Sequence, residues 1–160
     1  MNKEKAMEKD FNTSDCYTVE GKLALPYSYF AGRVGSKFIT TLRDEKKIKG
    51  VRCDTCGKVF VPPRQTCEKC MEDIRDKWVD IESKGKVVNF TVVRYSDGHL
   101  PRETPFVLAM IHLAGADTPM VHILEGVDAD KVNIGMDVEA VFADKTTNTI
   151  LDIDHFEPVK

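Results

Sequence analysis

The chain has 160 residues, of which 42% are hydrophobic and 31% are charged, and this composition excludes a disordered or fibrous protein. No apolar run reaches the roughly 20 residues that a membrane-spanning helix needs, so we expect a soluble protein. The charge is uneven: residues 78–160 contain seven Lys or Arg and fourteen Asp or Glu, a net charge of −7. A groove for nucleic acid would need an excess of Lys and Arg, so DNA and RNA are disfavoured as partners.

The N-terminal residues 1–25 mix charges of both signs and lack the apolar stretch of a secretory signal. This pattern predicts a flexible arm and a cytoplasmic location, where disulfides are rare. Cys16 lies in this arm without a neighbouring His or Lys that would activate it, so we interpret it as a free thiol.

Residues 26–46 are predicted to form an amphipathic helix that begins near Pro26. Its apolar face recurs at steps of three and four residues and consists of Tyr27, Phe30, Val34, Phe38 and Leu42. This face either packs on the core of the same chain or docks on another protein. Arg33 and Lys37 lie on the opposite side, where they meet solvent or contact an anion.

Residues 47–77 contain two C-x2-C pairs separated by ten residues, Cys53 with Cys56 and Cys67 with Cys70. Each pair brings two thiolates to one tight turn, so the spacing predicts one tetrahedral metal site. Gly57 follows the first pair, where such a turn commonly requires a positive φ. Zinc suits four thiolates best; a rubredoxin-like iron site, a redox-active pair and disulfides are the alternatives. A closed four-cysteine site cannot activate water, so its metal would be structural.

Residues 78–160 are predicted to be a series of short strands bounded by Gly, Pro, Asp or Asn. The strand segments are WVDIES, KVVNFTVVRY, FVLAMIHLAG, MVHILEGV, DVEAVFAD and TILDIDHF. Five or six strands in this length favour a small closed barrel of the OB type over an immunoglobulin sandwich. Gly85 lies inside the first long β stretch, where a barrel strand bulges or bends sharply.

The order of these parts resembles the zinc-ribbon/OB-fold family of acyl-CoA-associated proteins. The likeness covers about residues 26–158 and depends on the aromatic helix, C-x2-C-G…P-P-R-x2-C-x2-C, Trp78, GKVVNFTVVRY, PFVLAMIHL, NIGMDVEAVF and the closing FEP. It implies a β-rich α+β chain with N-terminal helices, a rubredoxin-like zinc ribbon and a C-terminal OB-fold barrel. Its members are commonly small partner subunits of thiolase-superfamily enzymes. These include acetoacetyl-CoA thiolase with hydroxymethylglutaryl-CoA synthase, steroid side-chain aldolases and benzoylsuccinyl-CoA thiolase of anaerobic toluene degradation, whose small subunit this chain looks most like.

The resemblance therefore implies a non-catalytic zinc-binding subunit of a heteromeric thiolase-type acyltransferase complex. Such a subunit would be essential to an enzyme that cleaves or forms C–C bonds, with a coenzyme A ester bound at the partner interface. A basic run precedes the ribbon, consisting of Arg43, Lys46, Lys47, Lys49 and Arg52. These side chains either guard an exposed strand edge or contact the phosphates of coenzyme A.

Two other functions are alternatives, a nucleic-acid-binding zinc-ribbon/OB-fold protein and a stand-alone enzyme. A nucleic-acid binder would present stacking aromatics, whereas Phe90, Phe106, Phe142 and Phe156 lie in apolar runs typical of a core. A stand-alone thiolase would need an activated Cys, an acid–base residue and an oxyanion hole, and no such set is visible. His112 and His122 fall within apolar strands, which favours packing in the barrel over catalysis. His99 lies in a loop that could reach a partner's active site.

Overall fold

The computed structural model describes residues 25, 27–96 and 98–159. The chain divides into two units, residues 1–30 and residues 31–160. In the first unit, Leu25 and residues 27–30 are described and have no regular secondary structure. The predicted arm lies outside the described residues except for Leu25, as does Cys16. Within the described residues, no helix has the length and apolar character needed to cross a bilayer.

Helix α1 spans Gly32–Glu45 and buries Val34, Phe38 and Leu42, as the helical pattern predicts. The predicted start near residue 26 is wrong, since the helix begins six residues later. Gly32 has φ +77, a left-handed conformation that stops the helix from extending toward the N-terminus. Tyr27 and Phe30 therefore precede the helix, and their side chains are 81% and 79% exposed.

Strands β1 (Ile48–Arg52), β2 (Val59–Phe60) and β3 (Trp78–Ile81) form an antiparallel sheet in the order β2-β1-β3. Because β1 is the central strand, Lys49 and Arg52 do not guard an exposed edge. The Nζ atom of Lys49 lies 3.2 Å from Glu45 and 3.8 Å from Asp80. This part of the basic run is thus placed on a paired strand.

Five further strands form the closed barrel that the sequence predicts. They are β4 (Lys84–Val93), β5 (Phe106–Leu113), β6 (Met120–Leu124), β7 (Asp137–Phe142) and β8 (Ile153–Pro158). The strand order is β4-β5-β6-β8-β7, β7 pairs back onto β4, and only β6 with β8 is parallel. Two 3-10 helices, Ala129–Lys131 and Ile150–Asp152, connect the later strands.

Gly85 serves a different purpose from the predicted bulge. The register shift on β4 lies between Val87 and Asn89, whereas Gly85 pairs regularly with Leu113 on β5 and Val138 on β7. A Cβ atom at position 85 would lie 2.5 Å from the carbonyl oxygen of His112. The glycine is therefore required by the close approach of a neighbouring backbone.

The barrel core is built from alternate residues of each strand, as the two-residue period of β structure requires. On β5 the odd-numbered residues 107–113 are buried, while the even-numbered residues between 106 and 112 are half-buried or exposed. Phe156 is fully buried, and Phe90 and Phe142 pack against the same core. Phe106 belongs to the opposite set of β5, so its assignment to the core is wrong.

The β5–β6 loop forms hydrogen bonds with the unpaired edge of β2 and with Val61, the residue that follows it. The Val59 N–H donates to the Asp117 carboxylate at 2.8 Å, and the Asp117 N–H donates to the Val59 carbonyl at 2.9 Å. The Thr118 hydroxyl accepts from the Val61 N–H at 2.8 Å and donates to the Val61 carbonyl at 3.0 Å. These four hydrogen bonds join the ribbon sheet to the barrel.

Candidate metal centre

Two similar turns carry the cysteine pairs. The Gly57 N–H donates to the Cys53 carbonyl at 2.8 Å, and the Met71 N–H donates to the Cys67 carbonyl at 3.0 Å. The residue after each pair has a positive φ, +75 for Gly57 and +55 for Met71. The sequence identifies Gly57 as a turn residue, but it gives no signal for Met71, because methionine rarely adopts this conformation.

The four predicted ligands converge on one point. Their Sγ atoms all lie within 4.8 Å of one another, and those of Cys56 and Cys67 are 3.7 Å apart. Zinc with Zn–S bonds of about 2.3 Å places its thiolates about 3.8 Å apart in a tetrahedron. Cys53 and Cys67 are buried, while Cys56 and Cys70 are half-buried. The geometry therefore fits one metal ion with four cysteine ligands in a tetrahedron.

The donor set matches zinc in its chemistry as well. The backbone N–H groups of Cys70 and Lys69 lower the pKa of Cys67 to about 7, so this thiol ionises readily near neutral pH. Burial raises the pKa of Cys70 to about 12, so this thiol requires a cation to become a thiolate. The four cysteines are not paired as disulfides. They are free to act as ligands.

A small apolar cluster surrounds the centre and consists of Val51, Phe60 and Ile74, with Trp78 at its edge. Glu72 is a nearby polar group that the cysteine spacing does not reveal. Its carboxylate accepts from the Thr55 hydroxyl and lies 3.5 Å from the Cys53 Sγ. The Thr55 hydrogen bond lowers the pKa of Glu72, so this carboxylate stays charged beside the centre.

The other residues considered for catalysis, the histidines, are separate from the cysteine site. All four cysteines that the structure describes lie together in the candidate metal centre, where they are predicted to act as ligands. His112 is exposed on β5, and His99 lies in the β4–β5 loop. His122 is buried, with its Nε2 3.2 Å from the Ile150 carbonyl and no partner for its Nδ1. Burial lowers the pKa of His122, which keeps this ring neutral.

A second polar cluster joins Arg102 to Glu125, Asp154 and His155. Arg102 Nε donates to Glu125 at 2.7 Å, and Arg102 Nη2 donates to Asp154 at 2.6 Å. His155 Nδ1 lies 2.7 Å from the other Asp154 oxygen. The guanidinium already supplies the positive charge between these carboxylates, so the cluster is a salt-bridge network.

Two family matches cover most of residues 31–160. Residues 41–73 match the family described as "ChsH2, rubredoxin-like zinc ribbon domain". Residues 78–143 match the family described as "ChsH2, C-terminal OB-fold domain". The two matched segments follow one another along the chain. The rubredoxin-like ribbon and the OB-fold that the sequence predicts are confirmed.

Two relatives share a description with each other and come from different organisms. A "DUF35 domain-containing scaffold protein" of Methanocaldococcus jannaschii is 37% identical over 58% of this chain and 65% of its own length. A protein of the same description from Methanothermobacter thermautotrophicus is 27% identical over 59% of this chain and 71% of its own length. The chain thus spans just under two thirds of the first relative and more of the second.

Two solved structures share the fold. A chain of the "Ltp2-ChsH2(DUF35) aldolase" superposes with a TM-score of 0.63 at 23% identity, covering 82% of this chain and 98% of its own. A DUF35 family protein of unknown function from Sulfolobus solfataricus superposes with a TM-score of 0.57 at 27% identity, covering 69% of this chain and 78% of its own. The arrangement of ribbon and barrel therefore recurs in solved relatives.

Proposed function

We propose that this chain is a zinc-binding, non-catalytic subunit of a thiolase-type complex that cleaves or forms C–C bonds in acyl-CoA substrates. The observation that carries the proposal is the closed four-cysteine centre within a ChsH2-type ribbon and OB-fold. A centre with four protein ligands has no open coordination position for a substrate or water. Its metal would therefore fix the shape of the ribbon rather than take part in chemistry.

The relatives support an assembly role. The archaeal relatives are described as scaffold proteins, and one structural neighbour is described as an aldolase made of Ltp2 and ChsH2. An aldolase and a thiolase both act on a C–C bond next to a carbonyl. By this proposal, the chain binds a thiolase-superfamily enzyme and completes the structure of that enzyme's active site.

Coenzyme A is the proposed shared ligand at the interface. Within the basic run, Arg43 contacts Asp44 and Asn148, and Lys49 contacts Glu45. Lys46 and Lys47 follow α1 with exposed side chains. These two ammonium groups are the proposed contacts to the phosphates of the coenzyme.

The specific substrate proposed is benzoylsuccinyl-CoA, as the sequence resemblance suggests. The test is coexpression with thiolase-superfamily proteins from the same organism, followed by size exclusion and an assay of CoA-dependent cleavage with and without this chain. We expect a stable complex and activity only when both proteins are present. If the enzyme alone turns over at the full rate and the two proteins elute separately, the proposal is wrong. A complex that cleaves another acyl-CoA would correct the substrate alone.

A further inference from the structure

One end of the barrel carries an open groove that is remote in sequence from the metal centre. It has a volume of about 500 Å³ and lies where β5 begins and β6 ends. Its apolar lining comes from Pro105, Phe106, Val107, Leu124, Val127 and Ala129. Phe106 and Val127 are half-buried, so they remain available to a partner. The outward position of Phe106, unexpected from the sequence, is explained if this ring lines a binding surface.

The groove extends beyond this first lobe. A second hollow of about 350 Å³ shares Gly126 and Val127 with it and continues past Asp128 and Lys131. An elongated, open groove fits a segment of polypeptide better than a compact small molecule, which binds in a more enclosed cleft. Its apolar floor calls for an apolar side chain of that segment.

The rim of the groove is acidic. Three carboxylates line the two hollows, those of Glu103, Glu125 and Asp128. Two more belong to neighbours of lining residues: Asp154 is paired with Arg102, and Glu157 lies beside Gly126. The cations there are Arg102, held by Glu125 and Asp154, and Lys131, which lies 2.6 Å from Asp128. The groove and its immediate surroundings therefore hold five carboxylates and two cations, and both cations are already paired. The surplus of negative charge favours a positively charged partner segment.

We propose that this groove, lined by Phe106 and Val127 and rimmed by Glu103, docks a basic amphipathic segment of the partner enzyme. An apolar side chain of the segment enters the floor, and Lys or Arg side chains next to it meet the acidic rim. The inference rests on the proposed function, because it adds a docking surface for the same enzyme. It assigns part of the acidic charge of residues 78–160 to partner recognition.

The test measures the affinity of the full chain for the thiolase-superfamily protein that coexpression identifies as its partner. Glu103→Lys reverses an exposed rim charge, and we expect about tenfold weaker binding at low salt and a smaller loss at 0.5 M salt. Glu82→Lys is the matched control, because it makes the same change on an exposed residue outside the groove lining, and its affinity should stay within about twofold. Val127→Thr keeps the side-chain volume and should weaken binding without greater salt dependence.

The outcomes separate the two proposals. A loss confined to Glu103→Lys and Val127→Thr, in variants that keep the wild-type thermal midpoint, supports the groove. A complex that neither variant weakens, or that Glu82→Lys weakens equally, overturns the groove and leaves the subunit proposal standing. If wild type forms no complex with the enzyme, both proposals are overturned.

Discussion

At the residue scale, the two turns of the metal centre form a natural comparison, since Gly57 and Met71 occupy equivalent positions. A Cβ atom at Gly57 would meet only the Arg52 Nη2 at 3.9 Å, so the cost of Gly57→Ala is conformational rather than steric. We expect this change to lower the free energy of unfolding by about 1 kcal/mol. Met71→Gly should raise it by less than about 1 kcal/mol, because release of left-handed strain exceeds the added freedom of the unfolded chain. Urea unfolding of the zinc-loaded proteins measures both, and equal destabilisation by the two changes would contradict the argument.

The four cysteines lead to a prediction about metal content. Cys67 is buried within the cluster, so Cys67→Ser should abolish stoichiometric zinc binding and sharply lower the thermal midpoint. Elemental analysis and a thermal melt measure the two effects, with about one zinc per chain expected in wild type. Cys16→Ser is the control and should change neither quantity. A Cys67→Ser protein with an unchanged melt would disprove the structural role, and iron in wild type would replace zinc as the metal.

The buried position of His122 leads to a prediction of how the free energy of unfolding depends on pH. Burial lowers its pKa in the folded state, whereas the unfolded chain keeps a value of about 6.5. The unfolded state therefore takes up a proton first as the pH falls, and stability is lost from about pH 6.5 down toward the lower folded pKa. His122→Gln should flatten this loss between pH 7.5 and 5.5 in urea unfolding. A pH dependence that His122→Gln leaves unchanged would disprove this role of His122.

At the element scale, local patterns and long-range contacts differ in how well the sequence predicts them. The convergence of the four cysteines and the barrel strands were predictable, because cysteine spacing and alternating hydrophobicity are local signals. The start of α1 was not, since the aromatic period continues through Gly32 although the backbone turns there. The contacts of Asp117 with Val59 and of Thr118 with Val61 join residues nearly sixty positions apart, and no local pattern encodes them. The groove at Phe106 was missed for the same reason.

The hydrogen bonds between the ribbon and the barrel lead to a prediction about their coupling. Val61 is buried, so Thr118→Val would leave its N–H and C=O without their partner, at a cost of about 1–3 kcal/mol. For a domain of this size we expect the thermal midpoint to fall by about 3–9 °C. Thr118→Ser retains the hydroxyl and should stay much closer to wild type. Equal midpoints for the Val and Ser variants would show that these bonds contribute nothing to stability.

At the scale of the whole molecule, the exposed aromatic segment before α1 is hard to explain if the chain acts without a partner. Tyr27, Tyr29 and Phe30 are each about 80% exposed, and the two tyrosine rings lie 5.9 Å apart. Aromatic side chains with this exposure are typical of interface hot spots, where their burial supplies much of the binding energy. The sequence predicts an aromatic face in this region. Two of its members, Tyr27 and Phe30, precede the helix and are not part of its buried face.

This segment leads to the final prediction, that Tyr29→Ser with Phe30→Ser weakens association with the thiolase-superfamily partner by at least about tenfold. Both side chains already contact solvent, so the double variant should keep the thermal midpoint of the isolated chain. Ile134→Ser is the matched control, since it removes another apolar side chain of comparable exposure, 67%, in the loop before β7. Size exclusion and titration of the partner measure the effect. A double variant that binds as tightly as the Ile134→Ser control would exclude the segment from the interface. The groove at Phe106 and Val127 would then be the one proposed surface left for binding the partner.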